Sequence, residues 1–216
     1  MSLAHYGVLF LDEIPEFKRD VLELMRSPLE DSIITINRAY GSLTYPCDFM
    51  LIASMNPCPC GYHGLSDKEC SCTPKQISRY INKISGPLLD RIDIHIEVAP
   101  VKFSELSSNN FSESSDKIKE RVNAARSIQL KRYKNDGICC NSQLSSKLIS
   151  KYCALSPECK KLLESVFNKL KLSARAHDRI LKVARTIADL DNSENIKINH
   201  LAEAIQYRSL DRKYWS

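Results

Sequence analysis

The chain has 216 residues, of which 43% are hydrophobic and 26% charged. That profile fits a soluble globular protein of one large or two small domains. No run approaches the roughly 18 apolar residues of a membrane span, and residues 1–6 lack a basic segment leading into an apolar one, so no secretory signal is read. Nine cysteines, an odd number, argue for reduced thiols in a cytoplasmic protein over a disulfide scaffold. The net charge of +5 is uneven: residues 1–100 hold 9 Lys and Arg against 13 Asp and Glu, and residues 101–216 hold 22 against 13. The basic half permits contact with nucleic acid or nucleotide phosphates; solvated helix faces account for the same charge.

Gly7–Asp12 is an apolar run ending in acid, the pattern of a parallel strand buried on both faces. Val21, Leu22, Leu24, Met25 and Leu29 recur at helical spacing, which predicts one helix after Phe17. Residues 32–45 read as two strands about a turn near Arg38–Gly41. A second buried strand is expected at Phe49–Ser54, followed by a Cys-, Pro- and Gly-rich loop at 57–74. Gln76–Ile84 reads as a helix, Leu88–Arg91 as a short turn and Ile92–Val98, by its alternation, as a strand. Residues 104–116, rich in Ser and Asn, read as a linker. Beyond it the pattern is helical, at 116–134, 146–153, 157–170, 173–190 and 200–209, the last capped by Asn199. The expected fold is α/β, a parallel sheet with helices over 1–103, then an all-α domain over 117–216.

Asp12 and Glu13 end an apolar strand and so stand at the carboxyl edge of the sheet, where α/β ligands bind. In a nucleotide hydrolase the first acid can hold magnesium and the second can polarise the attacking water. Asn56 ends the second strand and could orient the same water. Arg91 lies in a turn before the next predicted strand, and Arg175 near the start of a helix. Cys58-Pro-Cys60 and Cys70-Ser-Cys72 are two Cys-x-Cys pairs. Four thiolates there could close a tetrahedral zinc site, with His63 as a substitute ligand; four reduced cysteines in an exposed loop is the other reading. Cys47, Cys139, Cys140, Cys153 and Cys159 show no ligand spacing. Arg38 beside Tyr40 offers a cation and a stacking surface to a nucleic-acid backbone, or marks an ordinary surface hairpin.

The ordered series Gly7–Phe17, Leu29–Pro46, Met50–Gly61, Ser85–Asp93 and Ser173–Leu190 resembles the magnesium-chelatase clade of AAA+ ATPases, in its ComM/YifB branch. The resemblance implies a P-loop NTPase core followed by a helical lid. Asp12 and Glu13 would be the Walker B acids, Asn56 sensor 1, Arg91 the arginine finger and Arg175 sensor 2. It further implies ATP and Mg2+ as cofactors, a hexameric ring, no membrane, and hydrolysis coupled to DNA branch migration in natural transformation. A hairpin before sensor 1 would point into the ring's pore. No Gly-x-x-x-x-Gly-Lys-Ser/Thr occurs in the 216 residues. The chain therefore reads as the C-terminal part of a longer hydrolase, without its phosphate loop and inactive alone. A magnesium-chelatase ATPase subunit and a non-enzymatic zinc or nucleic-acid module are the competing readings.

Overall fold

A computed structural model describes residues 1–64, 68–101, 113–170 and 172–208, with the Leu170 side chain left out. The chain divides into two compact units, whose described parts are Met1–Ile92 and Asp93–Arg208.

The first unit is built on two strand pairs. β1 (Val8–Leu11) runs parallel to β4 (Met50–Ala53), in register from Val8 opposite Met50 to Leu11 opposite Ala53. β2 (Ile33–Arg38) and β3 (Gly41–Pro46) form an antiparallel hairpin whose last pair is Arg38 opposite Gly41. Between β1 and β2 lie α1 (Arg19–Glu23) and α2 (Arg26–Asp31). The one helix expected here is thus two. Pro28 has no N–H to give the Leu24 carbonyl, so the helical ladder breaks ahead of it. α3 (Pro74–Ile81) and α4 (Gly86–Leu89) complete the unit, capped by the Thr73 and Ser85 side chains.

The core of this unit gathers Ile14, Leu22, Met25, Ile84, Leu88 and Leu89. Leu9, Leu11 and Leu51 pack against it, while Val8, Phe10, Met50 and Ile52 on the other face of the strand pair are 46–62% exposed. These strands are therefore half-buried, not buried on both faces as their composition suggests.

Residues 93–101 form no strand. The alternation at Ile94, Ile96 and Val98 survives only as exposed apolar side chains. An isolated extended segment has no ladder partner for its N–H and C=O groups; here the His95 N–H is satisfied by the Tyr207 carbonyl at 2.9 Å.

The second unit is helical: α5 (Ser115–Arg132), α6 (Ser146–Tyr152), α7 (Pro157–Leu170), α8 (Ala174–Leu190) and α9 (Ile198–Gln206). Residues 104–112 of the expected linker lie outside the described residues, and Ser114 already caps α5. Asn199 lies inside α9 and does not cap it; the His200 ring accepts the Lys197 N–H at 3.1 Å instead. The core includes Leu163, Ile180, Ala184, Ala188, Ile196 and Leu201. Within it sits a buried charge. Asp189 pairs with Arg132 and Arg185 and accepts from Asn141 at 2.9 Å. Arg185 also donates to the Glu194 and Ser193 carbonyls. Burying a carboxylate is tolerable only with such partners.

Candidate nucleotide and metal sites

Parallel pairing sets the first site. Because Leu11 is opposite Ala53, the next residues, Asp12 and Ser54, come abreast at the carboxyl ends of β1 and β4. The Ser54 hydroxyl donates to Asp12 Oδ1 and accepts the Glu13 N–H at 3.0 Å. The Ile14 N–H donates to the Ser54 carbonyl at 2.9 Å. Asn56 Nδ2 donates to Glu13 Oε1 at 3.2 Å.

Glu13 takes φ +49° and ψ +54°. That left-handed conformation is uncommon outside glycine and tends to mark functional turns. The turn separates the two carboxylates, and both are exposed beside an open depression that they line with Glu16 and Phe17. Hard, exposed carboxylate oxygens suit a hydrated magnesium ion. Ser54 was not singled out by the sequence; the signal lies in the register, which a lone hydroxyl at a strand end does not disclose.

Arg91 is anchored to α2 and α4. Its Nε donates to the Arg26 carbonyl at 3.0 Å, its Nη1 to the Pro87 carbonyl at 2.6 Å, and its Nη2 pairs with Glu30. Its side chain is only 8% exposed. Arg175 stands exposed in the first turn of α8, behind the Ser173 cap, in the second unit. Arg38 and Tyr40 stand at the exposed tip of the β2–β3 hairpin, where Tyr40 is fully exposed.

The second site is made of sulfur. The Sγ atoms of Cys58, Cys60, Cys70 and Cys72 all lie within 4.8 Å of one another. Three separations are 3.3, 3.7 and 3.5 Å, for Cys58 with Cys60, Cys58 with Cys70 and Cys60 with Cys70. Tetrahedral zinc, with Zn–S of about 2.3 Å, sets its sulfurs about 3.8 Å apart. The donor set therefore fits a zinc-class ion. His63 is not in the group; its backbone N–H donates to Cys58 Sγ at 3.4 Å.

The thiols do not ionise alike. The Tyr62 backbone N–H leads in holding Cys60 down to about 5. Cys70 feels an opposing pull from the Cys72 backbone N–H, yet desolvation and the neighbouring thiols push it up to about 12. Neighbouring thiolates repel, and a bound dication removes that penalty. The remaining cysteines are free, with Cys47, Cys153 and Cys159 buried. Burial pushes the Cys153 thiol up to about 11.

Strand-end carboxylates locked to a neighbouring parallel strand are followed in this chain by a helical unit, and the family models that match both parts are of the magnesium-chelatase kind, which implies an AAA+ type of fold. The model for magnesium chelatase subunit ChlI matches residues 1–106, and that for the ChlI C-terminal region matches residues 112–208. The chain belongs to this family, in its ComM/YifB branch. It is 46% identical to the uncharacterized protein YifB of Escherichia coli and 45% identical to YifB of Salmonella typhimurium. It is also 45% identical to the competence protein ComM of Haemophilus influenzae. Each comparison covers 98% of this chain and 41% of the relative. The chain thus spans about two fifths of the length of these relatives. No helix among the described residues is long and apolar enough to cross a membrane.

Proposed function

We propose that the whole protein hydrolyses ATP with magnesium and couples the reaction to DNA remodelling of the branch-migration kind. The observation that carries the reading is the Asp12–Ser54 and Glu13–Asn56 pairing across two parallel strand ends. Magnesium neutralises phosphate charge when bound, and Asp12 is the residue to hold it. Glu13 takes a proton from the attacking water, and the Asn56 amide fixes the carboxylate through Oε1 so that it meets that water in one orientation. Residues outside these 216 supply the phosphate-binding loop.

In a hexameric ring, Arg91 serves a neighbouring subunit's nucleotide and Arg175 the subunit's own phosphates. For Arg91 this requires leaving the Glu30 carboxylate and two carbonyls. The Arg38–Tyr40 tip contacts the DNA backbone. The competence name of the Haemophilus influenzae relative points to transforming DNA as the substrate. The four cysteines hold one zinc ion. They also favour the ComM/YifB reading over a porphyrin-metallating subunit. The nucleotide core and the lid correspond to the two units, which divide between Ile92 and Asp93, ahead of the expected linker.

The test is Glu13→Gln in the whole protein. Magnesium-dependent ATP turnover should fall about 100- to 1,000-fold while nucleotide binding persists. Turnover unchanged by this substitution would overturn the assignment.

A further inference from the structure

The zinc loop and the hydrolytic pair share one short stretch of backbone. Asn56, whose amide holds Glu13, is followed by Pro57 and then by Cys58, which is fully buried in the sulfur cluster. At the other end of the loop, Cys72 is followed at once by Thr73. There the Gln76 N–H donates to Thr73 Oγ1 at 3.3 Å, and the Thr73 N–H donates to Gln76 Oε1 at 2.8 Å, starting α3. α3 carries Tyr80, 5% exposed, whose hydroxyl is raised by burial while the Asn56 backbone N–H acts against that rise. The charges of Glu13 and Cys58 also reach this hydroxyl. Sulfur cluster, α3 and the Asn56 backbone therefore form one closed circuit.

Little else closes it. Among the described residues of 57–72, only Cys58 is buried. Among the described residues, the Gly61 N–H reaches the Cys58 carbonyl at 3.0 Å, and the other backbone bonds run to sulfur, from His63 to Cys58, from Tyr62 and Ser71 to Cys60 and from Cys72 to Cys70. A loop without an apolar core needs another source of order, and a metal ion supplies it by joining chain ends that are distant in sequence.

We propose that the zinc ion held by Cys58, Cys60, Cys70 and Cys72 positions Asn56 against Glu13, so that metal occupancy of the loop sets the rate of hydrolysis. This rests on the roles of Glu13 and Asn56 given above. The cysteines are positioning residues; none touches nucleotide. The metal fixes where the β4 end enters the loop, and loss of the ion frees Asn56 from its place beside Glu13.

The experiment compares three proteins: the unmodified chain, Cys70→Ser with Cys72→Ser, and Cys60→His, which keeps a zinc-competent donor. Elemental analysis should give about one zinc per chain for the first and third, and less than about a tenth for the double variant. Hydrogen exchange of the Ser54–Asn56 backbone should quicken about tenfold or more in the double variant and remain slow in Cys60→His. Chelation of the unmodified protein under reducing conditions should reproduce the faster exchange without any substitution. In the whole protein, kcat for ATP should fall about 10- to 100-fold with KM within about twofold, and adding Asn56→Ala should cost little more.

Zinc loss with unchanged exchange at 54–56 overturns the proposal, as does metal-free protein with the four thiols reactive or joined as disulfides. If the whole protein shows no ATPase activity, the hydrolase reading fails by itself, and the metal and exchange measurements still decide this one.

Discussion

The two units of this chain reach order by different means. The helical unit carries a contiguous core around α8 and a buried ionic cluster at Asp189 satisfied from three directions. The strand-bearing unit has a smaller core, leaves Val8, Phe10, Met50 and Ile52 exposed, and gathers four sulfurs from its Cys-rich loop. Exposed apolar strand faces of that kind are rare on an isolated monomer. The contrast sets a well-filled interior in one unit beside an exposed pair of acids in the other. At the acids themselves, Glu13 is exposed and takes the left-handed conformation.

Breaking the ionic cluster should have the largest effect. Asp189→Ala leaves half-buried Arg132 and buried Arg185 without their shared carboxylate, and removing one side of a buried ion pair costs about 3–5 kcal/mol. Denaturant unfolding should show the helical unit melting earlier by that amount. The Asn56–Glu13 side of the molecule, followed by hydrogen exchange at 50–58, should keep its protection. Equal loss in both units would mean that they unfold as one body, and the contrast drawn above would fail.

The sequence disclosed the two units unequally. Asp12, Glu13 and Asn56 were legible because acids and an amide interrupt apolar runs at strand ends. Ser54 was not, since its role follows from the β1–β4 register and a lone hydroxyl carries no periodicity. The four cysteines were legible from spacing, and their convergence was not, because loop geometry has no repeat to read. Asp189 sits in a helical pattern where a charge reads as solvent-facing; its partner Arg132 is 57 residues away. Ile92–Val98 alternates like a strand, yet a strand needs a neighbour, and periodicity describes only one side of that pairing. For the helix before β2, the apolar spacing dominated and Pro28 was the better guide.

A smaller effect should separate function from stability within the first unit. Arg38 lies at the exposed end of a hairpin whose residues are themselves exposed, apart from half-buried Ile34. Arg38→Ala should therefore change stability by less than about 0.5 kcal/mol. In the whole protein it should weaken DNA binding alike across sequences and lower the salt slope by about one unit for each ring position that engages DNA, while basal ATP turnover persists. Binding equal to the parent's at every salt concentration would reduce the hairpin to a surface turn.

The smallest effect expected is at the edge of the helical unit, where an exposed ion pair tests how far its stability depends on charge. The Tyr152 hydroxyl donates to the Asp136 carboxylate, and Lys151 Nζ stands 3.4 Å from its other oxygen. Hydrogen bonding from Tyr152, then from Lys151, holds the Asp136 carboxyl below its usual range. A depressed carboxyl binds its proton more readily in the unfolded chain, where the ordinary value is about 3.9. The contribution is therefore fully present above about pH 4 and is lost as pH falls through the lower folded value. Asp136→Asn should be slightly less stable than the parent at pH 7, and the difference should close as the pH drops below 4. Unfolding midpoints of both proteins, measured at several pH values between 7 and 2, check this. A difference that stays constant over that range would assign the contact to shape and neutral hydrogen bonding, and the ionic contribution of the helical unit would then reside in the buried Asp189 cluster.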